Sequence, residues 1–493
     1  MFSKTNFLQY LQCPKLAWTV YNIPNMFTAP DPSTEYRLKE GRAVEEYARK
    51  LFPSVTLIDH STDFNDVIAQ SNDALNHSTT PICNALLNAN DLIAETDILV
   101  PVEDEYDLYE VKASTKEKPE HIPDIAFQKY VAVVRGLRIR KCFLILLNNK
   151  YIRKGENEPN KLFKIGDVTE GVSNYGELND INAQVQNALL TCHQKICPDT
   201  KIGLQCGDCP LKNECWKKVD AIENNIFNLY RMPRKRALGW YEQGITNNEQ
   251  IPDDYPLTDK QKIQVWAESN GQVKINKKAV TNFRNQLRYP LYFLDFETFS
   301  SPIPLVDNSA PYHPIPFQYS LHVIDKDLNK TPKHKSWIWD IDNEKDPREF
   351  LLYHLQTRLG NTGSILAYNA VFEMMILKQA VTICPAYETW LDGIMERFVD
   401  LLMPFRNFNI YHPAQKGSCS LKDVLPALTG QDYSALEIQD GGQASGAFVG
   451  ILNGQAENKQ AILDNLEKYC GQDTMAMVEI LRKMKELTAE LSI

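Results

Sequence analysis

The amino-acid sequence predicts an α/β protein of two domains joined by a short helical connector, and three observations lead there. At 493 residues the chain is longer than the roughly 250–300 residues that one hydrophobic core organises. Short apolar runs of strand length alternate with segments of helical period in both halves. The halves share no internal repeat and carry different sets of acidic residues. Two unrelated domains are therefore expected, at 1–225 and 288–493, with 226–287 as a basic helical connector.

In the first half, residues 35–52 alternate charged and apolar positions at helical spacing, and Ala94–Val100 and Leu108–Ala113 read as two strands joined by an acidic turn. A helix at Ile125–Arg135, a strand at Lys141–Leu147 and a helix at Gly176–Lys195 follow. The connector has short helical patterns broken by Pro252, Pro256 and Gly271. In the second half the pattern gives a strand at Leu291–Phe296, a Pro-rich loop at Ser301–Pro316, a strand at Phe317–Ile324 and a helix at Pro347–Leu359.

Composition excludes some function classes. Hydrophobic residues make up 43% and charged residues 24%, ordinary globular proportions, and no apolar run approaches the roughly 20 residues that span a bilayer. No membrane partner is expected. Met1–Val20 lacks the basic start, apolar stretch and small-residue cleavage site of a secretory signal, so the cytoplasm is the expected location. Eleven cysteines in a reducing compartment point to free thiols and metal ligands rather than disulfides. A net charge of −10 argues against nonspecific polyanion binding, although basic residues outnumber acidic ones between Arg231 and Pro290. That excess suits a nucleic acid or an ordinary solvated helical surface.

The first chemical motif is Leu108-Tyr109-Glu110-Val111-Lys112. Glu110 and Lys112 stand two apart on a strand, so both side chains leave one face, and Asp97 lies on the strand before. If these strands pair, two carboxylates and an ammonium converge. Such a set can hold Mg²⁺ or Mn²⁺ while Lys112 orients the attacking water or offsets developing charge in phosphodiester hydrolysis. An E-x-K by itself is a common neutralising pair on a strand face. Its company is more specific: Gly41 and Glu45 in the helix upstream, Gln128 and Tyr130 in the helix downstream. This order resembles the RecB-like branch of the PD-(D/E)xK nucleases over about residues 1–220. The resemblance implies a restriction-endonuclease-like fold and catalytic roles for Asp97, Glu110 and Lys112. It also implies a third metal ligand at Glu45 (or Glu46), where those nucleases often have histidine, and a substrate-binding or ligand-orienting Gln128.

Cys206-x2-Cys209-x5-Cys215 is a strong ligand spacing, because a C-x2-C turn directs two thiolates to one metal or cluster. The RecB-like resemblance implies that Cys13 is the fourth ligand, of an iron–sulfur (4Fe-4S) cluster that joins the two ends of the domain. A structural Zn²⁺ held by the three late cysteines with Cys197 or His193 is the competing assignment. Either group would be structural, since all ligands are consumed. Cys83, Cys142, Cys384, Cys419 and Cys470 read as ordinary thiols.

The last motif set lies in the second half. Asp295 and Glu297 share one face of an otherwise apolar strand, and burying that pair without a cation would be costly. Glu373 follows a strand-like run at the start of a helix, and Tyr469 and Asp473, four apart, share a helical face. Together Asp295, Glu297, Glu373 and Asp473 could cage two divalent ions about 3.5–4 Å apart, with Tyr469 orienting the water. The set resembles the DEDDy branch of the DnaQ-like 3′-to-5′ exonucleases over about residues 288–490, which implies an RNase H-like fold. Those enzymes usually have aspartate where this chain has Glu373; Asp400 is the second choice for that ligand, Asn369 is expected to contact the backbone or substrate near the metals, and Asp392 and His412 are expected to be structural or peripheral. The pairing of both halves resembles a bacterial family that fuses the two domains. It implies a metal-dependent nuclease acting on DNA in repair or phage defence, with RNA processing and a catalytically decayed nucleic-acid-binding scaffold as the alternatives. No protein partner is indicated.

Overall fold

The strands predicted around Asp97 and Glu110 form in the computed structural model, which describes residues 1–27 and 32–489. Leu92–Val102 and Glu105–Lys112 pair antiparallel at the centre of a mixed seven-stranded sheet. Ile82–Ala89 flanks the first of them, and Ile139–Leu147 runs parallel to the second. A parallel neighbour needs a crossover, and the helix His121–Val134 supplies it. Its apolar residues Ile125, Phe127 and Val131 pack with Phe2, Phe7, Leu99 and Leu108 into the main core of this unit. The helix read at 35–52 is Pro32–Ala48 followed by a 3₁₀ turn, Arg49–Leu51, and the one read at 176–195 is two helices, Thr169–Leu178 and Ile181–His193. Asp180, at φ 45°, caps the second and separates them.

In the second half Lys333–Ile338, Ile315–Ile324 and Leu291–Phe299 pair antiparallel in that order, and Ser364–Ala367 and Phe398–Asp400 continue the sheet in parallel. Leu291–Phe299 is the middle strand and is apolar on both faces, as a strand covered on both sides must be. The 30-residue helix Lys459–Thr488 crosses the sheet and buries Leu466, Tyr469, Asp473, Met477, Ile480 and Met484, a stripe at helical spacing.

The domain limits need three corrections, one being that 216–225, expected in the first domain, lies in the second unit. The chain divides into Met1–Cys215 with Ser301–His313, and Trp216–Ser300 with Pro314–Ile493. Ser301–His313, most of the Pro-rich loop read as part of the second domain, therefore belongs to the first unit. Its polar backbone explains why: Arg153 donates to the Leu305 carbonyl, Asn157 to Pro304 O at 2.9 Å, and Tyr312 to Ala113 O at 2.7 Å, while Ile303 and Tyr312 pack beside Val100 and Tyr109. The expected connector, 226–287, belongs to the second unit. It has a small core of Ile226, Leu229, Ala237, Trp240 and Ile251, and its Lys274–Ile275 strand pairs with Ile410–Tyr411. Tyr411 also donates to buried Glu268 at 2.9 Å.

Gly363 enters the Ser364–Ala367 strand at φ +96°, and a Cβ there would overlap the Pro290 carbonyl oxygen. Both the left-handed backbone and the close approach exclude side chains. Gly363→Ala is expected to destabilise the second unit by more than about 1 kcal/mol, read by urea unfolding. An unchanged midpoint would contradict this account.

Candidate functional sites

In the first unit the ladder between the two central strands ends at Ile98↔Tyr109. One residue further, where Asp97 would face Glu110, the strands part and the Asp97 Oδ2 accepts from Val111 N at 2.7 Å. The carboxylate thus takes over a backbone donor that the ladder no longer serves. Glu110 is 1% exposed and accepts from Lys112 at 2.6 Å, Lys4 at 3.0 Å and Gln128 at 2.6 Å. Asp124, one turn before Gln128 on the crossover helix, pairs with Lys112 at 2.6 Å and Lys4 at 3.3 Å and accepts from Gln128 at 2.8 Å.

These contacts divide the acids by charge. Burial pushes Glu110 up, but Lys4, Lys112 and their hydrogen bonds outweigh it and hold the carboxyl below its usual range. Asp97 is pushed well up by burial and by Glu110 beside it, and Glu45, on the Pro32–Ala48 helix, is raised by the same two causes. Glu45, Asp97, Glu110 and Lys112 are thus brought within electrostatic reach of one another. Glu46 is exposed, and Tyr130 turns away to donate to Asn182 at 2.7 Å. Gln128 orients Glu110 and Asp124, and its Oε1 is buried without a partner. Lys4 and Asp124 escape the sequence reading. The Asp124–Gln128 spacing of one helical turn is the signal that was present for Asp124; Lys4 has none.

Cys13, Cys206, Cys209 and Cys215 line one small cavity with Thr200, Lys201, Ile202, Leu211 and Lys212. Cys197 and His193 do not line it, and the His193 ring is 3.0 Å from the Tyr21 hydroxyl. Burial, with the other three thiols close by, raises the Cys209 thiol.

In the second unit the middle strand presents Asp295 and Glu297 towards the long helix, which presents Tyr469 and Asp473. The rotation of that helix is set by a buried polar staple. Gln318 donates to Leu466 O at 2.9 Å, and Thr474 Oγ1 lies 2.7 Å from Ser320 Oγ and 2.8 Å from His322 Nδ1. Ser320 is the strand partner of Asp295, so the staple ties the register of the sheet to the face of the helix. Glu373 comes from the first turn of the helix Val371–Ile383.

Burial, then Asp473, Glu297 and Glu373, pushes Asp295 well above the carboxylate range. Glu297 is raised to about 8 by burial and Asp473, with Lys422 opposing, and Glu373 to about 8 by burial, with Asp400 adding to it. Asp473 rises to about 6 through burial, although hydrogen bonds from Tyr433, at 2.6 Å, and Tyr469 favour its charge. Among the described residues none of the four acids forms an ion pair. Glu373 is 3% exposed and its Oε2 has no partner. Oxygen donors, buried and uncompensated, fit a hard divalent cation.

Asp400, the second choice for a ligand, is used by the backbone: its Oδ1 accepts from Asn369 N at 2.9 Å and Leu402 N at 3.0 Å. Asn369 is a turn residue at φ +74°, its Oδ1 3.5 Å from Arg406 Nη2. Tyr433 and Lys422 are missing from the sequence reading. Lys422 donates to the Gln439 carbonyl and sits 5.2 Å from the Tyr469 ring centre and 5.4 Å from that of Tyr433. Neither lies in a motif.

Residues 292–420 match a domain of unknown function (DUF2779). That span takes in Asp295, Glu297 and Glu373 and stops before Tyr469 and Asp473. The chain is also similar to "Uncharacterized protein MG366" of Mycoplasma genitalium, 26% identical over 46% of this chain and 36% of the relative. A homologue of it in Mycoplasma pneumoniae is 27% identical over 44% and 35%, and "Uncharacterized protein UU173" of Ureaplasma parvum is 27% identical over 45% and 35%. The matched part of this chain spans about a third of the length of these curated relatives.

The staple generates a pH prediction. His322 stacks on His334 at 4.4 Å, and burial, with His334 adding to it, lowers its pKa from 6.5 to about 4. The unfolded chain then takes up a proton near pH 6.5 that the folded chain refuses until about pH 4, so the contribution of His322 to stability falls as pH drops through that window. Glu297 and Glu373, raised to about 8, act in the opposite direction in wild type and variant alike, so the comparison isolates the histidine. By urea unfolding, the change in stability from pH 7 to pH 5 should be less favourable in the wild type than in His322→Gln by up to about 2 kcal/mol; equal slopes would refute the assignment.

Proposed function

We propose that the chain is a divalent-metal-dependent nuclease acting on DNA, with an RNase H-like, DnaQ-type exonuclease centre in its second unit and a PD-(D/E)xK centre in its first. The observation that carries this reading is the meeting of Asp295, Glu297, Glu373 and Asp473, from distant segments, in one buried group without a compensating ion pair. Three antiparallel strands followed by two parallel ones suit the RNase H-like fold. Mg²⁺ or Mn²⁺ held by these acids would supply Lewis acidity and activate water for attack on the phosphodiester. Burial and the surrounding acids keep the Tyr469 phenol protonated, so it orients by donating and does not serve as a base. Tyr433 fixes Asp473, and Lys422 lends positive charge beside Glu297.

In the first unit, Asp97, Glu110 and Glu45 would hold the cation and Lys112 would offset charge on the phosphate. A specific observation favours a second reading there. Lys4 and Lys112 already pair with both Glu110 and Asp124, so this centre also suits a structural ion-pair network retained for binding.

The four thiols fit an iron–sulfur cluster. Cys13, Cys206, Cys209 and Cys215 line one cavity, and Cys197 and His193, the other candidate zinc ligands, are not among its lining residues. Lys201 and Lys212 would offset the charge of the thiolates.

Digestion of labelled single- and double-stranded DNA and RNA with Mn²⁺ tests the activity. Asp295→Ala is expected to cut the rate at least about 100-fold, roughly 2.7 kcal/mol. A comparable loss in Asp97→Ala supports two catalytic centres, and no loss there supports the ion-pair reading. Unaffected cleavage in both variants would remove the proposal, and preference for RNA would replace its substrate. Anaerobically purified protein should be brown, with iron that Cys209→Ser eliminates; stoichiometric zinc in its place would overturn the cluster assignment.

A further inference from the structure

Cys470 is the group at the second acid cluster for which neither motif accounts. The sequence gives it no role, yet it is fully buried and its Sγ lies 3.7 Å from Asp295 Oδ2. One ligand atom each from Asp295, Glu297 and Cys470 falls within 4.8 Å of the others. A second, independent observation is that the Oε2 of Glu373 is buried without a hydrogen-bond partner, in a carboxylate near enough to act electrostatically on both Asp295 and Glu297. A thiol placed only to fill space would face apolar side chains rather than two carboxylates.

Donor softness decides what such a set can bind. A hard cation takes the carboxylate oxygens and leaves the thiol protonated; a borderline-soft one of the zinc class favours thiolate and accepts carboxylates beside it in four-fold geometry. We propose that Asp295, Glu297 and Cys470 form a mixed carboxylate–thiolate site for one zinc-class divalent cation, with solvent in the fourth position. Binding forms a metal–sulfur bond and releases the thiol proton to solvent, with no change of oxidation state. The same pocket then has two metal states, and the softer metal excludes magnesium from Asp295 and Glu297. This rests on the reading of those acids as cation ligands but not on cleavage of a phosphodiester.

Cobalt(II), a coloured stand-in for zinc, is the probe. Titrated into the metal-free full chain, it should produce a sulfur-to-cobalt charge-transfer band with a component that disappears in Cys470→Ser and in Asp295→Asn but persists in Cys209→Ser. A band at full strength in Cys470→Ser, or one wholly lost in Cys209→Ser, overturns the proposal. Calorimetry guards against a misfolded variant: Cys470→Ser should weaken Zn²⁺ binding at least about tenfold and leave Mn²⁺ binding unchanged. An equal loss of both affinities makes the thiol structural and refutes the site. A chain that shows the Cys470-dependent band yet cleaves no nucleic acid retains this site and loses the nuclease reading; cleavage with Mn²⁺ and no such band does the reverse.

Discussion

Carboxylates held in a low-dielectric interior repel one another and lose the water that would stabilise them, so each cluster must recruit positive charge, protons or hydrogen-bond donors. The two units meet this constraint differently. In the first, Lys4 and Lys112 reach the Glu110–Asp124 pair and Gln128 donates to both, which leaves Glu110 charged and moves the unsatisfied burden to Asp97 and Glu45. In the second no ammonium among the described residues comes so close, and burial raises Glu297 and Glu373 to about 8 instead. The second cluster therefore has the larger unmet demand for a cation.

Much of the remaining architecture places those acids. Parting of two strands after Ile98↔Tyr109 frees Val111 N–H for Asp97, and the crossover required by the parallel strand brings Asp124 and Gln128 over Glu110. In the second unit the Ser320–Thr474–His322 staple turns the long helix so that Tyr469 and Asp473 face the middle strand. A helix this long has many faces that could meet a sheet. Turned away, the helix would strand the buried Gln318 amide and His322 ring on the sheet, and a buried polar group without a partner costs roughly 1–3 kcal/mol, which makes one rotation preferred.

The cysteine cavity is assembled by packing across a long sequence separation. Cys13 begins one helix, Pro14–Asn22, and Cys206, Cys209 and Cys215 lie almost two hundred residues later, around a short turn and the helix Lys212–Asp220. Leu16 and Leu211 pack against them, so the ends of this stretch are joined by an apolar contact that brings the four free thiols to one cavity.

Periodicity and residue chemistry by themselves determined the α/β class, the central strands of both sheets, and the pairing of Asp295 with Glu297 and of Glu110 with Lys112 on shared faces, because those properties depend on spacings of two and of three to four residues. The limits of the units lay beyond that range: Ser301–His313 joins the first unit and 226–287 the second through contacts such as Arg153 with Leu305 and Tyr411 with Glu268. Only the tertiary structure decided that Lys4, Asp124, Tyr433, Lys422 and Cys470 stand among the acids. Their neighbours come from sequence separations of a hundred residues or more in several cases, as with Lys4 and Glu110 or Cys470 and Asp295, and no local pattern encodes a contact closed by the packing of one element across another.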